Sequence, residues 1–122
     1  MRFLLMHKID ERQPGAFNPS PEFVEKMGGF IEEVTKAGVL LAADGVLPTD
    51  KGARVRHTPT KTTVIDGPFT EAKEVVGGFA MVQVRSKEEA IEWATRFADL
   101  FGDLEVEVEV RQVAEFADIE GA

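Results

Sequence analysis

Asp66 is the first candidate for acid–base chemistry in this sequence. It opens the tetrapeptide Asp66–Phe69 (Asp-Gly-Pro-Phe), which follows the β-branched run Thr62–Ile65 and precedes a second apolar run. Gly67 tolerates positive φ and Pro68 fixes φ at about −65°, so the tetrapeptide predicts a sharp corner between two strands. In a cleft that excludes water, the Asp66 carboxylate would act as a general base. Alternatively, it caps the corner by accepting hydrogen bonds from backbone amides.

His7 is the second candidate, because an imidazole can donate or accept a proton near neutral pH. It lies near the end of the first predicted strand, and Asp44, which follows the second, is its candidate partner. The alternatives are a structural histidine and an aspartate that forms a β-bulge. His57, in a basic hairpin, is interpreted as structural.

The residue types that are absent narrow the chemistry further. The sequence has no Cys and no Tyr, which excludes thiol catalysis, phenol acids and thiolate metal sites. Its two histidines are well separated, so we expect no structural metal and no other cofactor.

Composition is typical of one soluble domain that spans residues 1–122. The chain is 43% hydrophobic and 30% charged, and no apolar run approaches the roughly 18 residues of a membrane span. The apolar N-terminal stretch is too short for a signal peptide, so a cytoplasmic location is expected. A net charge of −8 argues against direct binding to nucleic acid or to an anionic membrane.

Two helices are predicted from their caps and apolar periodicity. The first follows Ser20 and ends near Gly38, with a Gly28-Gly29 pair whose cost suggests close packing in that region. The second begins with a capping box at Ser86–Glu89 and ends before Gly102.

Strands are predicted on either side of these helices. Their ranges are Phe3–Ile9, Val39–Ala43, a hairpin of Ala53–His57 and Lys61–Asp66, Phe79–Val84, and Leu104–Val113. The acidic tail Glu115–Ala122 is expected to fray.

Two charged surfaces leave alternatives open. Lys51, Arg54, Arg56 and Lys61 form either an ordinary solvated hairpin or a contact for an anionic ligand. The alternating Glu105, Glu107 and Glu109 of the last strand form either a cation site or, in the simpler interpretation, a wet face that discourages edge-to-edge aggregation.

The element order predicts an α+β, ferredoxin-like sandwich, with a mainly antiparallel sheet, two helices on one face and an inserted hairpin. The other sheet face would be left bare. A second copy of the chain is the economical cover, so we expect a homodimer.

The chain resembles the DGPF-type branch of the YCII-related proteins over nearly its whole length. The likeness rests on Asp66, Gly67, Pro68 and Phe69, on the later Gly77-Gly78-Phe79, and on the helix Glu88–Ala94. The resemblance implies a dimeric α/β barrel with a cleft in each protomer. Most proteins of this family have no assigned reaction. It also implies a functional link to sigma factors and, in a few relatives, lyase activity on small aromatic-derived substrates.

The resemblance also implies a dyad of a first-helix histidine and a nearby aspartate. This dyad is not transferable, because no histidine lies between Ser20 and Gly38. Two functional hypotheses follow. The first is a small-ligand-binding or regulatory homodimer with a cleft at Asp66–Phe69, in which Asp44 also contacts the ligand. The alternative is a metal-independent lyase or hydrolase that uses Asp66 with His7.

Overall fold

The computed structural model describes residues 1–71 and 73–120, which form six strands, two long helices and two short ones. In chain order these are β1 (Arg2–Ile9), α1 (Pro21–Lys36), β2 (Leu40–Gly45), a 3-10 helix (Thr49–Lys51), β3 (Ala53–His57), β4 (Thr62–Asp66), β5 (Val75–Gln83), α2 (Lys87–Asp99), β6 (Val106–Gln112) and α3 (Phe116–Glu120).

The four-stranded sheet has the order β2-β5-β1-β6, with every neighbouring pair antiparallel, and β3 and β4 form a separate hairpin. Both long helices pack on one face of this sheet, because their apolar side chains share one core with alternate residues of β1 and β5. The buried core comprises Phe3, Leu5, Phe30, Val34, Val39, Ala80, Val82, Val84, Ala90, Ala94, Phe97 and Phe101. The predicted ferredoxin-like α+β sandwich is confirmed.

Both helix starts form the predicted caps. The Ser20 hydroxyl accepts a hydrogen bond from the Phe23 amide at 3.1 Å, and the Ser86 hydroxyl accepts one from the Glu89 amide at 3.1 Å. The Glu89 carboxylate accepts in return from the Arg85 amide, one residue before the cap. These local bonds satisfy amides that have no partner inside the helix.

The interpretation of Gly28 and Gly29 as a close-packing site is wrong. Both residues are exposed, and a Cβ on either would meet no atom within 4 Å. We therefore expect Gly28→Ala and Gly29→Ala each to raise the free energy of unfolding by about 0.5–1 kcal/mol, because alanine has less backbone entropy to lose in a helix. Urea denaturation measures this, and a loss of stability in either variant would contradict it.

Two predicted boundaries need correction. β5 begins at Val75 rather than Phe79, because Gly77 and Gly78 lie within the strand and not in a turn. The tail forms the short helix Phe116–Glu120 where fraying was expected, and residues 121–122 of that prediction lie outside the described part of the chain. Within the described residues, no helix has the length and apolar character that crossing a membrane requires.

Candidate functional site

A cavity of about 500 Å³ lies between the sheet and the helices. Its walls are mainly apolar and aromatic. Phe23, Phe30, Trp93 and Phe97 line it from the helices, and Phe101 lines it from the turn after α2. Loop residues 16, 17 and 19 and the segment 46–48 after β2 also line it. This volume suits a small organic molecule, and the lining suits one that is largely apolar.

His7 is the titratable group that β1 contributes to this cavity. Phe3, Leu5 and Ile9 on the same strand face are buried, and His7 takes the corresponding position as the strand reaches the cavity. Its ring centroid lies 4.7 Å from that of Phe101 and 5.7 Å from that of Phe97. The imidazole therefore belongs to an aromatic cluster.

The electrostatic surroundings of His7 favour its neutral form. Burial lowers the pKa of the imidazole below its ordinary value, because the aromatic surroundings solvate the cation poorly. The Nδ1 atom is buried and has no hydrogen-bond partner among the described residues. An unpaired buried nitrogen is costly, and such groups concentrate at functional sites.

Gly77 and Gly78 make the space that the imidazole occupies. The pairing of β1 with β5 shifts between His7 and Lys8, so that Gly77 is an extra residue in β5. A Cβ on Gly77 would lie 2.1 Å from the Nε2 atom of His7. The bulge and the missing side chains therefore leave room for the ring beside the strand, an arrangement common next to active sites.

Asp44 lies at the same end of the sheet, as the sequence predicted for a partner of His7. Both residues line the cavity, although the Asp44 residue as a whole is exposed. The Asp44 carbonyl oxygen and the His7 Cε1 atom each lie 3.0 Å from the position of a Cβ on Gly78. Gly78 thus separates the imidazole from the Asp44 backbone. Asp44 pairs with Phe79 and His7 with Gly78, so the Asp44 side chain points to the sheet face opposite His7.

Asp66 lies elsewhere. It pairs with Ala53 at the base of the hairpin, is exposed, and is not among the residues that line the cavity with His7. Within residues 1–71 and 73–120, its carboxylate forms no hydrogen bond, so the capping interpretation has no support. The Phe69 amide instead donates to the Thr49 hydroxyl at 3.3 Å.

The corner Asp66–Phe69 is built around Thr49 rather than around Asp66. The Gly67 amide donates to the Gly52 carbonyl at 3.0 Å, and a Cβ on Gly67 would lie 1.6 Å from the Thr49 carbonyl oxygen. Residues Pro68 and Phe69 complete the corner, and the Arg54 guanidinium lies 3.8 Å from the centre of the Phe69 ring. The corner thus braces the chain that immediately follows the cavity-lining segment 46–48.

Glu11 is a residue of this region that sequence reasoning missed. Its carboxylate accepts hydrogen bonds from both the amide and the hydroxyl of Thr49, each at 2.6 Å. This pair joins the loop after β1, which supplies Ala16 and Phe17 to the cavity, to the turn that follows its rim. No sequence signal links the two residues, since 38 positions separate them.

The family model of the YCII-related domain matches residues 1–117. The chain belongs to this family. An uncharacterized protein of Rhizobium meliloti (strain 1021) is 39% identical over 59 residues, a match that spans 48% of each chain. The chain therefore covers about half the length of this curated relative.

A solved structure similar to this YCII-related protein is 5-chloro-2-hydroxyhydroquinone dehydrochlorinase from Burkholderia phenoliruptrix AC1100, in complex with 2,5-dihydroxybenzoquinone. The TM-score is 0.53, and the match covers 94% of this chain and 95% of that chain. At 14% identity the likeness shows a shared fold.

The lowered pKa of His7 gives this YCII-related protein a defined pH dependence. In the unfolded chain His7 titrates near its ordinary value of 6.5, whereas in the folded chain it titrates lower. The unfolded state then binds more protons in the window below 6.5, so stability falls there as the pH decreases. NMR titration of the imidazole should give the lowered pKa, with His57→Gln to assign the signal. A His7 pKa at or above 6.5 would contradict this account.

Proposed function

We propose that this YCII-related protein binds a small, neutral, largely apolar ring compound in the cavity beside His7. The observation that carries the proposal is an imidazole without a hydrogen-bond partner for its buried nitrogen, in the wall of an aromatic cavity. A ligand with one hydroxyl group would supply the missing partner once the imidazole turns its buried Nδ1 atom toward the cavity, and the aromatic side chains would bury the ligand ring. The Asp44 backbone carbonyl is proposed as a further ligand contact at this end of the cavity.

Trp93 provides the test, because it is the one tryptophan in the sequence and it lines the cavity. We expect phenol to change Trp93 fluorescence saturably, and toluene, which has the ring without the hydroxyl, to bind more weakly. His7→Leu should weaken phenol binding at least tenfold and bring it close to that of toluene. Asp66→Asn is the matched control and should bind phenol as the natural chain does.

The control separates the two sites that sequence and structure favour. If Asp66→Asn abolished phenol binding and His7→Leu did not, the ligand site would lie at the corner Asp66–Phe69, and the proposal would be wrong.

A second candidate function is a metal-independent lyase or hydrolase reaction with His7 as the base. The lowered pKa of the imidazole favours it, because the neutral form accepts a proton at neutral pH. Asp66 is left out of this version, since it does not line the cavity. The test is chloride release from 5-chloro-2-hydroxyhydroquinone, the compound in the name of the similar enzyme. Release that requires His7 would support catalysis, and binding without release would support the first candidate.

We further propose that the protein works as a homodimer. The sheet face away from the helices carries Leu4, Met6, Phe79 and Met81, each only partly buried in the single chain. A sheet with one bare apolar face gains stability when a second sheet covers it. Light scattering should give twice the chain mass of 13.4 kDa, and a mass of 13.4 kDa at micromolar concentration would contradict the proposal.

A further inference from the structure

The hairpin of β3 and β4 stands out from the rest of the fold. All ten residues of its two strands are exposed. Val55 and Val64 lie directly opposite each other and are 68% and 64% exposed. A two-stranded hairpin is only marginally stable by itself in water, so an uncovered one is expected to have a partner surface. We call this hairpin, residues 51–65, the arm.

The base of the arm is closed by contacts between its own two ends. The Gly67 amide donates to the Gly52 carbonyl at 3.0 Å, and the Arg54 guanidinium lies 3.8 Å from the centre of the Phe69 ring. Thr49, just before the arm, links this base to the loop after β1, because its amide and hydroxyl both donate to the Glu11 carboxylate at 2.6 Å. The arm is therefore anchored at its base and exposed along both strands.

The charge of the arm is opposite to that of the rest of the chain. The arm holds four of the 14 Lys and Arg residues and none of the 22 Asp and Glu residues. The four cations are Lys51, Arg54, Arg56 and Lys61, and none forms an ion pair with a residue in the described ranges 1–71 and 73–120. An acidic surface is the natural counterpart of such an arm.

The chain itself presents that acidic surface on β6. Glu107 is exposed and lies on the bare face of the sheet, opposite in direction to the core-facing Val106 and Val108. Glu105, also exposed, immediately precedes the strand. Glu109 on the same face is already engaged, because it bonds to the Lys8 ammonium at 2.8 Å. Two carboxylates are thus available to a second copy. They lie beside the apolar patch of the bare sheet face, which consists of Leu4, Met6, Phe79 and Met81.

We propose that the arm of each protomer docks on the β6 edge of its partner, with the face of the arm that carries Arg56 turned to the partner sheet and Arg56 against Glu107. Strand alternation places Val55 and Val64 on the opposite face of the arm. This inference rests on the homodimer proposed above. In a face-to-face dimer whose two-fold axis runs parallel to the strands, the β2 edge of one sheet lies over the β6 edge of the other. In the proposed arrangement the arm, which follows β2 in the chain, starts at the β2 edge. The contact is isologous and occurs twice.

Sedimentation equilibrium of the full chain in 50 and 500 mM NaCl tests the docking. Arg56→Glu and Glu107→Arg should each raise the dimer dissociation constant at least tenfold at low salt. The double variant should recover most of the loss, because it restores opposite charges across both contacts. Lys36→Glu on α1 changes the net charge by the same amount as Arg56→Glu and should leave the dissociation constant within twofold. Higher salt should weaken the natural dimer, since it screens these pairs.

The possible results distinguish the docking of the arm from the dimer itself and from ligand binding in the cavity. Arm variants that dimerise like the natural chain, or a double variant without recovery, would overturn the docking while the dimer stands. A natural chain that is monomeric would overturn both. A monomer that binds a DNA oligonucleotide through Arg56 would assign the arm to nucleic acid instead. Phenol binding at Trp93, measured on the same samples, reports the cavity proposal independently.

Discussion

Replacement of Gly67 by alanine should lower the free energy of unfolding by about 3 kcal/mol or more. The added Cβ would lie 1.6 Å from the Thr49 carbonyl oxygen, which is a backbone atom and cannot rotate away. To relieve the clash, the corner must move off the 3-10 helix, and the hydrogen bond from the Phe69 amide to the Thr49 hydroxyl would be lost. Guanidinium denaturation measures the effect.

Two controls make this result specific to the corner. In Gly52→Ala the new Cβ would lie 3.7 Å from the same Thr49 oxygen, which is an ordinary contact. The free energy of unfolding of this variant should stay within about 0.5 kcal/mol of that of the natural chain. Asp66→Ala should be similarly mild, because its side chain is exposed and unbonded among the described residues. A Gly67→Ala chain of natural stability would refute the packing of this corner. A cost of about 1–2 kcal/mol for Asp66→Ala would instead restore the capping interpretation.

His7→Leu should have opposite effects on stability and on ligand binding. The variant replaces an unpaired buried nitrogen with an apolar side chain, so the free energy of unfolding should rise by about 1 kcal/mol at pH 7. The difference in the free energy of unfolding between the variant and the natural chain should grow as the pH falls below 6.5. Only the natural chain is destabilised there, because its unfolded state binds a proton on His7 more readily than its folded state. Phenol binding should drop at least tenfold in the same variant. Such an exchange of stability for function is typical of binding sites.

Gly77→Ala removes the space for the imidazole while keeping the histidine. Its Cβ would displace the ring, whose Nε2 atom lies 2.1 Å from that position. We expect weaker phenol binding together with lower stability, the reverse of the stability change in His7→Leu. If both variants bound phenol like the natural chain, His7 would have no part in the site.

The elements that sequence reasoning predicted well depend on neighbours in the chain. The caps at Ser20 and Ser86 act within one helical turn, and the hairpin pairs strands that follow each other directly in the chain. The alternation of β6 and the one-sided helices then restrict the architecture to helices on one face of a sheet. These signals were sufficient to predict the ferredoxin-like fold.

The site was harder to predict because its contacts join distant parts of the chain. The predicted strand began at Phe79 and left Gly77 out, and only the pairing of β5 with β1, about 70 positions earlier, reveals the bulge that accommodates His7. The tetrapeptide Asp66–Phe69 was interpreted mainly through its carboxylate. In the structure, the close packing of Gly67 on Thr49 explains why the tetrapeptide needs a glycine. Asp44 and His7 lie at one end of the sheet, as predicted, but the register turns their side chains to opposite faces.

The most direct test of the central claim is the ¹⁵N spectrum of the His7 imidazole during titration with phenol. The account predicts that both ring nitrogen signals of His7 shift in proportion to the occupancy reported by Trp93, because the hydroxyl contacts the ring. The amide signals of Gly77 and Gly78 should shift with them, and those of Asp66 and Gly67 should not. Saturation of the Trp93 signal with unchanged His7 nitrogens would contradict the claim that His7 binds the ligand.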